Sequence, residues 1–132
     1  MTPDKGLVIL HHGTTLRRAL LIEERGPDPN YREQGGRGQP PAEGFSTCIA
    51  GIVECLTGIP SEMAQLKAGN FPNEGGPAIL EVSVPMWIMD ILYADEIGAA
   101  IAAGGEARFE PESGLSGLRS EWPNLTKRVF PL

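Results

Sequence analysis

The stretch Leu7-Val8-Ile9-Leu10-His11-His12-Gly13-Thr14-Thr15-Leu16-Arg17-Arg18-Ala19-Leu20 decides how the rest of the chain is read. Leu7 to Leu10 is a short, unbroken run of strand formers behind Gly6, the pattern of a buried strand. Gly13-Thr14-Thr15 breaks that run, and a hydroxyl at Thr14 or Thr15 can accept a hydrogen bond from the free amides of a helix start. From Leu16 to Arg25 the apolar residues Leu16, Ala19, Leu20 and Ile22 share one helical face. Gly26 suits the position just past a helix, and Pro27 forbids continuation. Strand, turn and helix are expected in that order.

Working outward, residues 26–43 carry Gly-Pro-Asp-Pro-Asn, a Gly-Gly pair and a Pro-Pro pair without periodicity, and predict a long loop. Strand character resumes at Gly44-Phe45-Ser46-Thr47-Cys48-Ile49. A helix is expected after Ile59-Pro60, with Ser61 as N-cap, Met63, Ala64 and Leu66 buried, and its end near Gly69. A turn at residues 73–77 precedes the plainest strand, Ala78 to Val84, where Leu80, Val82 and Val84 alternate with polar neighbours until Pro85. Met86 to Ala103 reads as helix in two pieces, with Ile88, Ile91 and Leu92 on one face, stopped by Gly104-Gly105. Glu106 to Phe109 reads as a short strand. Ser113 then caps a last helix, with Leu115, Leu118 and Trp122 inward and Pro123 at its end. This order predicts a small α+β domain built on a split or twisted sheet, with 1–132 as one domain.

Composition narrows the function. Hydrophobic residues make up 41% of the 132, enough for a packed core, and the net charge of −6 repels phosphate backbones over any broad nucleic-acid interface. No apolar run is long enough to span a bilayer or to serve as a signal peptide, and Cys48 and Cys55 read as reduced thiols, so a cytoplasmic protein with no membrane partner is expected. His11 and His12 are adjacent on a strand and point to opposite faces, one exposed and one satisfied in the core, so they cannot chelate one metal together. No metal is expected. Gly35-Gly36-Arg37-Gly38 has neither a strand before it nor a helix after it, against a dinucleotide loop, and no Gly-x-Ser-x-Gly elbow occurs.

Three stretches carry chemistry. His12-Gly13-Thr14-Thr15 leaves the end of a strand, Gly44-Phe45-Ser46-Thr47 begins the strand after the long loop, and Glu106 opens a late strand behind Gly104-Gly105. Histidine and turn amides can fix a flat heteroaromatic amide or its ribose, and Phe45 can stack on the ring. A carboxylate at a strand start can bond a ribose hydroxyl and stabilise positive charge at the anomeric carbon. Plainer roles stand beside these: His12 as a satisfied strand-end histidine, Phe45 as a core aromatic and Glu106 as a solvated carboxylate. Glu110 and Glu112 are the other acidic candidates, and Trp87 and Trp122 read as packing residues.

Together, in order, the three stretches resemble the motifs of the ADP-ribosyltransferase superfamily, in its diphtheria-toxin-like and poly(ADP-ribose)-polymerase-like branch, small bacterial proteins included. The resemblance covers roughly residues 6 to 110. It implies an ADP-ribosyltransferase-like split sheet with short flanking helices, NAD as substrate, and transfer of ADP-ribose to an acceptor, for which a protein is one candidate. On that resemblance Glu106 polarises the ribose, His12 orients it, Gly13 anchors the nicotinamide amide beside Thr14, and Phe45 with Ser46 and Thr47 forms the strand beneath the ring. Arg17 and Arg18 are the nearest cations for the pyrophosphate. The branch usually has tyrosine in the second motif where this chain has Phe45, and Tyr31 in the long loop is the one substitute for the second stacking tyrosine. The alternative is a catalytically inactive binding or protein-interaction module on the same fold. An RNA 2′-phosphotransferase reaction is disfavoured by the acidic surface.

Overall fold

The computed structural model describes residues 6–28, 45–86, 104–109 and 114–132, with the backbone alone at 106–108. Most of the expected loop at 26–43, the helical stretch beyond Met86, and Tyr31, Trp87, Glu110, Glu112 and Ser113 lie outside the described residues. The elements are β1 (Leu7–Thr15), α1 (Leu16–Arg25), β2 (Phe45–Ile49), α2 (Ile59–Asn70), β3 (Pro77–Pro85), β4 (Glu106–Phe109), α3 (Gly114–Glu121) with a 3₁₀ turn at Trp122–Asn124, and β5 (Thr126–Pro131). The strands form one antiparallel sheet in the order β4-β2-β1-β3-β5. The chain is α+β, as its pattern of elements predicts.

The central pair is β1 with β3, in register from Leu7 opposite Pro85 to Thr15 opposite Pro77. Side chains alternate between faces along a strand, so paired residues share a face. Val8 and Leu10 of β1 therefore lie with Val84 and Val82 of β3, and Phe45 of β2 with Phe109 of β4. Ala19 of α1, Leu115 and Leu118 of α3, Trp122 and Leu125 complete the core on that face. The indole Nε1–H of Trp122 donates to the Glu23 carbonyl at 3.0 Å, and Arg119 donates to the Pro27 carbonyl, tying the end of α1 to α3. Gly26 ends α1 at φ 82°, a backbone region that glycine occupies without strain, and its N–H donates to the Ile22 carbonyl.

Several expectations are corrected by packing. Gly13 does not end the first strand, because Gly13, Thr14 and Thr15 pair with Ile79, Ala78 and Pro77 and carry β1 directly into α1. Thr15, the second of the two hydroxyl candidates, is the N-cap. α2 starts earlier than expected, with Gly58 at its N-cap and Pro60 in its first turn, so Ser61 does not cap it. Met63 and Leu66 are exposed rather than buried, because α2 turns its small residues Pro60 and Ala64 inward. Leu20 of α1 likewise faces solvent. β5 was not foreseen; it hydrogen-bonds along β3 from Ala78–Pro131 to Ser83–Thr126. Leu115, Leu118 and Trp122 are buried as the last-helix pattern predicts.

Candidate functional site: the end of the β1–β2 ladder

β1 meets β2 over two pairs, Leu10 with Ile49 and His11 with Cys48. The Ile9 carbonyl accepts the Ala50 N–H at 2.9 Å, which fixes the direction of alternation along β1. Residues Ile9, His11 and Gly13 turn their peptide groups toward β2, while Leu10, His12 and Thr14 turn theirs toward β3. Past His11 the ladder stops. There the His12 imidazole takes over the role of the backbone, with Nδ1 2.7 Å from the Ser46 carbonyl oxygen. The N–H and C=O of Gly13 consequently face the place where β1 and β2 part.

A carbonyl can only accept, so the His12 proton resides on Nδ1 and Nε2 is left as an acceptor. Burial, and secondarily the positive charge of Lys67, push the His12 pKa down to about 3, against the weaker opposing pull of the Ser46 carbonyl. The imidazole is neutral at physiological pH. Its accessible surface places it between buried and exposed, so it can reach a ligand while losing most of its hydration.

The face of Gly13 is closed by α2. A Cβ at this position would stand 1.9 Å from the Pro60 carbonyl oxygen and 3.0 Å from the Ala64 nitrogen. Gly13 is therefore required for the close approach of α2 to β1. Thr14 and Thr47 are buried on the two strands, and Ser46 contributes its carbonyl to His12.

Phe45 and His12 come together, with ring centroids 4.5 Å apart at 36°. Phe45 also packs on Phe109 and edge-on to Trp122, each at 6.4 Å, and only 5% of its surface is exposed. It backs the imidazole as a core aromatic. Glu106 opens β4, its backbone opposite Cys48 in the row that continues through His11. Alternation sets position 106 on the sheet face opposite to that of Phe109 and Phe45, at the last row before the strands part.

Of the two arginines, Arg18 is engaged by Glu74, with Nε 2.7 Å from Oε1, and lies 3.8 Å over the Phe71 ring. Arg17 is exposed on the first turn of α1, along a shallow depression with Leu16, Leu20 and Glu74. Lys67 was not singled out by its sequence context. The signal for it is the spacing Pro60-Ala64-Lys67, which puts it on the inward face of α2 one turn beyond the residue that touches Gly13.

The other histidine serves the opposite face. His11 is buried, not exposed, with Nε2–H donating to Glu81 Oε2 at 2.9 Å and its ring edge-on to Phe130. Arg128 donates to the same carboxylate at 2.8 Å, and these bonds, Arg128 first, hold Glu81 below the usual carboxylate range. The two histidines thus diverge, as neighbours on a strand do.

Neither Cys48 nor Cys55 is in a disulfide. Among the described residues there is no group of three or more His, Cys, Asp or Glu side chains able to hold a metal ion, and no helix long and apolar enough to cross a membrane. Comparison with protein-family models, with curated proteins and with solved structures finds no match to this chain.

Proposed function

We propose that the chain is an ADP-ribosyltransferase-like protein that binds NAD where β1 and β2 part, breaks its nicotinamide–ribose bond and passes ADP-ribose to an acceptor. One observation carries this reading: the Gly13 peptide, turned toward β2 one step past the last β1–β2 pair, and a neutral histidine acceptor lie side by side at the end of the ladder. A carboxamide has one carbonyl acceptor and two N–H donors, the complement of the Gly13 N–H and C=O. The ribose carries hydroxyl donors, the complement of His12 Nε2. A sheet that parts between β1 and β2 also supports an ADP-ribosyltransferase-like fold, and Phe45 supplies the apolar backing that holds the imidazole in place.

In the transfer step the C–N glycosidic bond breaks and the bonding pair leaves with the nicotinamide nitrogen, which becomes neutral. The acceptor's lone pair then closes on the anomeric carbon, and the acceptor's proton passes to water. The order of the motifs alone assigns Glu106 the stabilisation of the positive charge that develops between these events, in the manner of carboxylates in glycoside chemistry. Its position lies on the sheet face opposite His12 and Phe45, so it would have to reach the anomeric carbon around the end of the ladder. Ser46 and Thr47 support the floor of the site, and Thr14 its other wall.

The test follows nicotinamide release from labelled NAD by the full chain. Release by the wild type, and its loss in Glu106→Gln with stability changed by no more than about 1 kcal/mol, supports the transferase. NAD binding without release favours the non-catalytic module on the same fold. Absence of NAD binding overturns the reading.

A further inference from the structure

We propose that the apolar stripe of α2 is where a second copy of this chain docks, the two α2 helices lying antiparallel about a twofold axis. The proposal stands apart from the NAD reading. α2 is pinned to the sheet by its small side, where Pro60 and Ala64 are buried and the Pro60 backbone closes on Gly13. At 3.6 residues per turn, Ile59, Met63 and Leu66 line up along a second side. These three, with Ile52 and Leu56 on the turn that leads into α2, each leave between 39% and 58% of their surface open. Half of the exposed large hydrophobic side chains among the described residues thus fall within residues 52–66. Five half-open aliphatic side chains amount to on the order of 400 Å² of apolar surface, the size of patch that marks an interaction site. Glu62, Gln65 and Asn70, all exposed, rim the stripe and bring the face to the roughly 500 Å² per partner that a specific dimer needs.

The stripe is complementary to itself. A twofold contact is reciprocal, so each residue pairing occurs twice. An axis between Met63 and Leu66 sets Met63 of each copy against Leu66 of the other, and Ile59 against the Asn70 end. Among the described residues, nothing outside its own turn lies within 4 Å of where a Gly69 Cβ would stand. The bulky start of one stripe therefore meets the slim end of the other. The antiparallel sense also sets the two helix dipoles head to tail. No charged side chain stands at positions 59, 63, 66 or 70, so two chains of net charge −6 meet there without burying like charges.

The experiment is sedimentation of the full chain, without ligand, across roughly 1–200 µM, the range that suits a contact at the small end of specific interfaces. The wild type is compared with Met63→Glu/Leu66→Glu and with Leu20→Glu/Leu21→Glu, which puts the same charges on the exposed side of α1. All four side chains are exposed, so each variant is expected to keep the unfolding midpoint of the dilute wild type. The wild type should pass from monomer to dimer. Met63→Glu/Leu66→Glu should raise the dissociation constant at least about tenfold, and Leu20→Glu/Leu21→Glu should leave it unchanged. Added salt should tighten the dimer, because it screens the repulsion between two acidic copies and leaves an apolar contact intact. A wild type that stays monomeric throughout overturns the proposal, and so does open-ended association, since a twofold contact closes on itself. A dimer that survives Met63→Glu/Leu66→Glu, that Leu20→Glu/Leu21→Glu breaks as well, or that salt dissolves overturns it too. None of these outcomes bears on NAD binding.

Discussion

Gly13 is the residue at which fold and proposed chemistry meet, and the two demands on it can be measured separately. A Cβ 1.9 Å from the Pro60 carbonyl oxygen cannot be relieved by a side-chain rotation, because the obstructing atom is backbone. Gly13→Ala is expected to lower the stability of the chain by about 3 kcal/mol or to shift α2, read as a fall in the urea midpoint. His12 makes a different prediction. The unfolded imidazole takes up a proton near pH 6.5, whereas the folded one resists until about 3. Between those values the unfolded state binds more protons, so stability falls as pH falls, by up to about 1.4 kcal/mol per pH unit. The window from pH 6.5 to 5 separates this loss from that of the carboxylates Glu74 and Glu81, whose ordinary values lie at 4.5. Urea titrations across it should show a slope in the wild type that His12→Phe flattens. An unchanged slope in that variant would mean that His12 is protonated in the folded state.

At the scale of elements, the junction of β1 and α1 is held by one hydroxyl working in both directions. Thr15 Oγ1 accepts from the Arg18 N–H at 3.3 Å and donates to Glu74 Oε1 at 2.8 Å, and Arg18 Nε donates to the same oxygen. Thr15→Val keeps the volume and removes both bonds, leaving a helix amide and a carboxylate oxygen each short of a partner. The expected cost is about 1–2 kcal/mol, read from thermal unfolding, with Thr15→Ser recovering most of it. Elements were legible in the sequence where burial acts on one face of a regular period. The alternation of Leu80, Val82 and Val84 marks β3, and Leu115, Leu118 and Trp122 mark the last helix. β5 was not legible, because Thr126-Lys127-Arg128-Val129-Phe130-Pro131 is an edge strand whose charged residues find their partners outside it, Arg128 at Glu81 of β3 and Lys127 at the Trp122 and Leu125 carbonyls. α2 misled because its contact with β1 selects small residues, which leaves Ile59, Met63 and Leu66 outward and makes an apolar stripe look like a core face.

Across the whole molecule, the sheet is continuous on one side of β1 and interrupted on the other, and that asymmetry is what a candidate site requires. The sequence pointed to His12, Gly13 and Phe45 because a histidine and a glycine follow an apolar run and an aromatic starts the next strand. It could not show that the ladder stops after His11, since that depends on the Ser46 carbonyl being claimed by an imidazole 34 residues away. Nor could it show that Phe45 would be spent on packing against Phe109 and Trp122. The interruption has a direct physical consequence for amide exchange. The N–H groups of His12 and Thr14 belong to the β3 ladder, at the centre of the sheet, and exchange only when strands separate. The Gly13 N–H between them points past the last β1–β2 pair, so it is expected to exchange faster than both neighbours even though Gly13 is buried. Nicotinamide should slow Gly13 selectively, because its carbonyl would accept from the Gly13 N–H, and should leave the His11 amide, paired with Cys48, as it was. Equal protection of residues 12, 13 and 14 in the free protein would mean that β1 and β2 close against each other there, and the proposed nicotinamide site would be lost with the gap that forms it.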